Sequence, residues 1–313
     1  MPEMTNPSLA ASPAPDMSEL SRRVLFAVVA APLAIVILIW GGAPLAALIA
    51  VAAALGAWEF YRLAHAAGNQ PFDDIGIAAA GLAPLAVHAR YLGFYETHPA
   101  IVVILLLGLC TLALWMRGSR GSPMASIGVT ALGVLYVGCT LPFAYAIRYH
   151  EYAVGGRDLR LGSVLVFIPA GGVLVLLPVL LTWATDTGAY AVGRLLGRRT
   201  LMPSVSPGKT VEGALGGIAA SIVAAYLLVR FALRPVTQLA FTPAGLVVLA
   251  TSVSVAAQAG DLFESLIKRE AGIKDSSHLI PGHGGVLDRL DSLIFTLPVT
   301  YMLLGWLLIP APL

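Results

Sequence analysis

Asp261, Glu264, Ser265 and Lys268 fall at i, i+3, i+4 and i+7, a spacing that sets four polar side chains along one face of a helix. Asp288 and Asp291 stand one helical turn apart further along the chain. If the two segments enter and leave the same face of a membrane, their carboxylates converge at one depth. Convergent carboxylates suit a hard cation such as Mg²⁺, which takes one or two protein carboxylates together with phosphate oxygens. They equally suit interhelical ion pairs, with Asp261 and Asp288 facing Lys268 and Arg289, because an unpaired carboxylate at membrane depth costs on the order of a few kcal/mol. Glu264 and Asp291 also read as plain helix-end charges.

Between these carboxylates runs Pro281-Gly282-His283-Gly284-Gly285. Three glycines make such a loop closely approachable, and its backbone N–H groups can cradle a phosphate. His283 suits a phosphate contact or a general acid, and equally a loop residue held by backbone hydrogen bonds. His278 and His283 lack the cysteine partners and spacing of a zinc site. A second polar segment runs from Thr185-Asp186 through Arg194, and then from Ser206-Pro207-Gly208-Lys209-Thr210 to Glu212. Its Gly-Lys-Thr is not a P-loop, because Pro203 occupies the position of the first glycine and no strand precedes it. At a helix N-terminus it still offers hydroxyls, amides and an ammonium to an anion; an ordinary N-cap at Thr210 beside a solvated Lys209 is the other reading. The chain has only three lysines, Lys209, Lys268 and Lys274, and all fall in these two segments. That placement favours a compact point charge over a guanidinium fork there.

The elements that must position these residues are membrane helices. Of 313 residues, 58% are hydrophobic and 12% charged, about half the charged share of a soluble domain. The apolar residues come in runs of about 20, the length that crosses a hydrocarbon core. An all-α integral membrane protein with about nine transmembrane helices is expected, over roughly 24–41, 44–63, 75–93, 98–116, 126–147, 162–184, 211–231, 243–263 and 288–310. Residues 1–20, rich in Pro, Ser and Ala, read as a disordered cytoplasmic tail. Residues 21–313 form one membrane domain, with the polar motifs in 182–291. Cys110 and Cys139 lie in apolar runs and read as inert packing residues. With the N-terminus inside, thirteen Lys/Arg fall on the inner side and six on the outer, which places both polar segments in the cytoplasm. The net charge of +2 gives no basic face for nucleic acid. A transporter is disfavoured, because there is no internal repeat and the polar residues cluster on one face. Glu59 and Arg62, a turn apart, read as a local pair or a snorkelling couple without function.

The stretch Ser265 to Asp291 resembles the signature of phosphatidate cytidylyltransferases, S-x-x-K-R-x4-K-D-x-[GSA]-x2-[LIF]-[PGS]-x-H-G-G-x2-D-R-x-D. Ser265, Lys268, Arg269, Lys274, Asp275, Ser277, Ile280, Pro281, His283, Gly284, Gly285, Asp288, Arg289 and Asp291 fill its constrained positions. Asp186 and the segment Ser206 to Gly213 are similar to the family too, whereas the first five spans match only in hydropathy. The resemblance implies a cytidylyltransferase that converts CTP and phosphatidic acid to CDP-diacylglycerol and pyrophosphate at the inner membrane of the cell, as a homodimer. It implies Mg²⁺ on Asp261 and Asp288, with or without a second cation, and a catalytic set of Asp261, Asp288, Lys268, Arg269, Lys274, His283, Arg289 and Asp291. Contacts to CTP would come from Asp186, Ser206, Lys209, Thr210, Glu212, Gly284 and Gly285. A CTP-dependent polyprenol or lipid kinase, or a cytidylyltransferase for another lipid phosphate, shares much of this logic.

Overall fold

The computed structural model describes residues 17–96, 98, 100–118, 121–153, 155–161, 164–277, 279 and 284–310; all that follows concerns these residues. Each of the nine expected spans meets a helix. They are α1 (Met17–Trp40), α2 (Gly42–Ala66), α3 (Asp73–Tyr91), α4 (Ala100–Met116), α5 (Pro123–Gly133) continued through a π turn towards α6 (Phe143–Arg148), α7 (Ala170–Leu196), α8 (Val211–Leu228) continued through a π turn into α9 (Arg234–Thr237), α10 (Pro243–Glu270) and α11 (Leu287–Leu307). Six stretches are long and apolar enough to cross a membrane: Gly42–Ala66, Pro123–Arg148, Ala170–Leu196, Val211–Thr237, Pro243–Glu270 and Leu287–Leu307. Val28–Trp40 and Ala100–Met116 are apolar but shorter. The fold is thus all-α and largely membrane-spanning, with three short antiparallel strand pairs at its ends.

The sixth span differs from the expectation at both ends. The sixth span was expected at 162–184, but α7 starts at Ala170, after a hairpin of β1 (Gly156–Leu161) and β2 (Val164–Pro169). A continuous apolar run does not distinguish a strand from a helix, and the β-branched Val164-Leu165-Val166-Phe167-Ile168 run closed by a proline is a strand by composition. Pro169, in extended conformation, is the N-cap of α7. Because α7 also runs on to Leu196, past the expected end at 184, Asp186 lies inside it and not in a loop. The connection to α8 is a short hairpin, β3 (Thr200–Met202) with β4 (Ser206–Thr210). The backbone of α1 is helical from Met17, inside the segment expected as a tail. Cys110 and Cys139 do not pack inside; both are exposed.

The core is shared by α2, α7, α10 and α11, with Leu63, Leu174, Leu181, Leu249, Leu287, Ile294 and Leu304 fully buried. By contrast α4 turns Val102, Ile104, Leu105, Leu107 and Trp115 outward and buries Ala113, as a helix facing lipid would. The two ends of the bundle are tied differently. At one end Arg148 donates to the carbonyls of Ile39 (2.9 Å) and Trp40 (3.2 Å), the last residues of α1, and Tyr149 Oη accepts from Gly42 N–H at 2.7 Å. A further pair, β5 (Leu239–Phe241) with β6 (Leu308–Pro310), joins the start of α10 to the end of α11. At the other end Arg117 holds the α2–α3 loop through the carbonyls of Gln70 and Pro71.

The tightest seam runs between α7 and α8. A Cβ at Gly188 would overlap Ala220 Cβ and lie 2.8 Å from the carbonyl oxygen of Gly216. Small residues let membrane helices approach backbone to backbone. Gly188→Val must part the two helices, and a loss of about 1–3 kcal/mol is expected for overpacking of this kind. Thermal unfolding in detergent would show it as a lowered midpoint; an unchanged midpoint would mean that the seam is looser than described.

Candidate active site

The polar residues gather where the ends of α7, α8, α10 and α11 meet at the β3–β4 end of the bundle. At the α10–α11 crossing a Cβ on Gly260 would run into the carbonyl oxygen of Asp291 and lie 3.0 Å from Ser292 Cα. The next residue along α10, Asp261, therefore stands level with Asp291 on α11. The α7–α8 seam brings Asp186 and Lys209 to the same place. A cleft of about 360 Å³ opens there, lined by Asp186, Tyr190, Arg194, Lys209, Gln258 and Asp261 among others.

Two lysines organise the charges. Lys209 Nζ lies 2.5 Å from Asp261 Oδ2. At that distance the ammonium is engaged by the Asp261 carboxylate. An ammonium carries three donors, so one carboxylate contact does not exhaust it. Lys268 Nζ sits between two carboxylates, 2.7 Å from Glu264 Oε2 and 2.8 Å from Asp288 Oδ1. The three side chains are 14%, 2% and 10% exposed, so this triad is buried, whereas Asp261 is 37% exposed and faces the cleft. Asp288 is enclosed on its other oxygen too: Oδ2 accepts from Gly285 N–H at 2.7 Å and from the Ser276 hydroxyl at 2.9 Å.

The remaining residues of the expected set divide. Thr210 is the N-cap of α8, accepting from Gly213 N–H at 3.1 Å. Glu212 accepts from the amides of Arg198 and Arg199 at 3.0 and 3.2 Å, which fastens the end of α7 to the start of α8. Ser206 opens β4. Arg269 is exposed, and its Nε reaches the carbonyl of Val205 at 3.3 Å, which ties α10 to the β3–β4 turn. Lys274 and Arg289 are exposed beside the loop, and Asp291 Oδ1 accepts from Ser292 N–H. Gly284 turns with φ +82°, and the amide of Gly285 is occupied by Asp288. His283 and His278 lie outside the described residues.

The model of the cytidylyltransferase family matches residues 21–307. The chain belongs to that family. Similarity to single relatives runs over nearly the whole length. The phosphatidate cytidylyltransferase of Pseudomonas aeruginosa is 37% identical, over 92% of this chain and 98% of the relative. That of Synechocystis sp. is 31% identical over 90% and 95%, and that of Bacillus subtilis 30% over 92% and 99%. Membership of the phosphatidate cytidylyltransferase family therefore extends over the first five spans, beyond the C-terminal signature from which the resemblance was read.

Of the two carboxylates expected to hold Mg²⁺, Asp261 lines the cleft, whereas Asp288 is enclosed by Lys268, Ser276 and Gly285. Among the described residues no three His, Cys, Asp or Glu side chains are arranged to hold a metal, but Mg²⁺ needs only one or two protein carboxylates and keeps water and phosphate for the rest. Asp261 and Asp288 each already face a cation, Lys209 or Lys268, in a position that accepts positive charge.

Sequence reasoning passed through Tyr190 and Arg194 without giving them a role, missed Gln258, and misjudged Glu59. Arg62 does not pair with Glu59; its guanidinium lies over the Trp58 ring at 4.9 Å. Glu59 is fully buried and binds the signature loop instead. A lone acid in an apolar run was the available signal. For the triad, removing the central charge leaves two buried carboxylates uncompensated. Lys268→Met should cost about 3–5 kcal/mol, read as a marked drop in thermal midpoint in detergent. A midpoint equal to wild type would show that Glu264 and Asp288 have other compensation.

Proposed function

We propose that this chain transfers the cytidylyl group of CTP to phosphatidic acid, forming CDP-diacylglycerol and pyrophosphate. The observation that carries the reading is the Lys209–Asp261 pair, set in a cleft at the end of a membrane bundle whose family is named for this transfer.

The lipid phosphate is a monoester, largely dianionic at neutral pH, and it needs no strong base to become a nucleophile. Its oxygen attacks the α-phosphorus of CTP, a new P–O bond forms, and the bond to the bridging oxygen of pyrophosphate breaks. Catalysis then consists of in-line positioning and neutralisation of crowded negative charge. Lys209, with Ser206, Thr210 and the N-terminus of α8, takes the triphosphate. Asp186 and Glu212 frame that segment, and Gly284 and Gly285 keep the facing loop thin. Lys268, Arg269, Lys274 and Arg289 would neutralise the reacting phosphates from the α10–α11 side, with Asp291 nearby; the expected role of His283 as a phosphate contact or general acid is part of the same reading. Asp261 and Asp288 would hold Mg²⁺, which would supply positive charge to the phosphates; a second cation is part of the same reading.

The two-ended sorting of arginines and the excess of Lys/Arg at the cleft end support a cytoplasmic active site, nine crossings and an inner-membrane location, where soluble CTP meets a bilayer lipid. A homodimer is part of the same reading.

Purified protein with radiolabelled CTP and phosphatidate should yield CDP-diacylglycerol and pyrophosphate; CDP plus a phosphorylated lipid alcohol would make it a kinase. Activity should vanish with EDTA and return with Mg²⁺. Lys209→Ala should lose about 10²-fold in rate, and Asp261→Asn or Asp288→Asn about 10²–10³-fold, the scale of a lost charge clamp. Lys209→Arg should recover only part of the loss. Well-folded Asn variants with normal turnover would sink the metal assignment. In a background lacking Cys110 and Cys139, Glu151→Cys should react with an impermeant thiol reagent from outside the cell and Ser204→Cys should not; the reverse labelling would overturn the orientation.

A further inference from the structure

Glu59 lies on α2, which contributes no side chain to the cleft, yet its carboxylate is 0% exposed and surrounded by donors from the other end of the chain. Oε1 accepts from the Ser277 hydroxyl at 2.5 Å and from Val286 N–H at 2.9 Å. Oε2 accepts from the Ser276 hydroxyl at 3.1 Å and from Leu287 N–H at 2.5 Å. Leu287 is the first residue of α11 and Val286 its N-cap, which has no side-chain cap of its own. The first amides of a helix lack partners within it and carry partial positive charge. A carboxylate delivered from another helix satisfies two of them here.

The contact reaches Asp288 through one atom. Ser276 Oγ is 3.1 Å from Glu59 Oε2 and 2.9 Å from Asp288 Oδ2, and its single proton serves one carboxylate at a time. The Ser276 amide also donates to Asp288, at 3.2 Å to Oδ2. There is no slack around this junction. A Cβ on Gly285 would strike Ser276 Oγ and would lie 2.6 Å from both oxygens of Glu59.

We propose that Glu59 is a positioning residue for the transfer reaction: from α2 it caps α11 and, through the Ser276 hydroxyl, sets the orientation of the Asp288 carboxylate. It touches no substrate. Removing an outer partner of a functional carboxylate typically costs 10–100-fold in metal affinity or activity, and that is the expected scale here. The inference rests on the cytidylyl-transfer reading given above.

The test compares Glu59→Gln and Ser276→Ala with wild type in CDP-diacylglycerol formation, together with melting and hydrogen exchange of the purified protein. Glu59→Gln keeps the shape and removes the charge; its kcat should fall about 10–100-fold, with KM for CTP within about threefold, because the nucleotide is held on the Lys209 side. The Mg²⁺ concentration for half activation should rise about tenfold in the same variant. Ser276→Ala leaves the two caps on α11 intact. It should melt like wild type, lose about tenfold in kcat and exchange faster at the amides of 284–288. The double variant should be no slower than Glu59→Gln, since both act through one hydroxyl. If Glu59→Gln does not fold, Ser276→Ala decides. Wild-type kcat and Mg²⁺ dependence in Ser276→Ala, or in folded Glu59→Gln, would reduce Glu59 to a structural anchor and overturn the inference. Absence of CDP-diacylglycerol from the wild-type protein would instead overturn the transfer reading itself.

Discussion

Charge compensation away from bulk water is the constraint on which this structure depends. Lys268 sits between Glu264 and Asp288, and three side chains that are each costly to bury become tolerable only together. The pair across to Asp288 also fixes α10 against α11, so the triad is both a joint and a charge store. It does not close: Glu264 Oε1 is buried without a hydrogen-bond partner among the described residues. With Asp186, Asp261 and Asp291 nearby, the region holds more carboxylates than ammonium groups.

Lysine and arginine divide the work by the kind of contact they make. Arg148 uses its planar fork to gather two carbonyls at the end of α1, and Arg117 does the same for the α2–α3 loop. Both are fastenings, where several directed donors are useful. Lys209 and Lys268 contact carboxylates as compact point charges, without the fixed fork of a guanidinium.

Much of this was legible in the chain. The i, i+3, i+4, i+7 pattern put Asp261, Glu264 and Lys268 on one face of α10, and the pairing of Asp288 with Lys268 was one of the two readings their charges allowed. The pairing of Asp261 was not legible. It meets Lys209, whose approach depends on the α7–α8 seam and a hairpin that hydropathy reads as loop. The start of α7 was misplaced for a related reason: Val164 to Pro169 is as apolar as a helix would be, and only β-branching and the proline separate the two. Glu59 shows the limit most clearly. Beside Arg62 in sequence it looked locally paired, and its real partners lie more than two hundred residues away, where no periodicity points to them.

That separation of 227 residues bears on how the molecule comes into being. A ribosome adding 5–20 residues per second needs roughly 10–45 s to make Val286 after Glu59 has been made. Throughout that interval α2 stands in the translocation machinery or the bilayer with an acid that has none of its final donors. Its place near the end of the helix, close to Ala66, lets the side chain reach the interfacial water while it waits. In the folded chain two hydroxyls and two amides take the place of that water. A site begun by the second helix is thus completed only after more than two hundred further residues have been made.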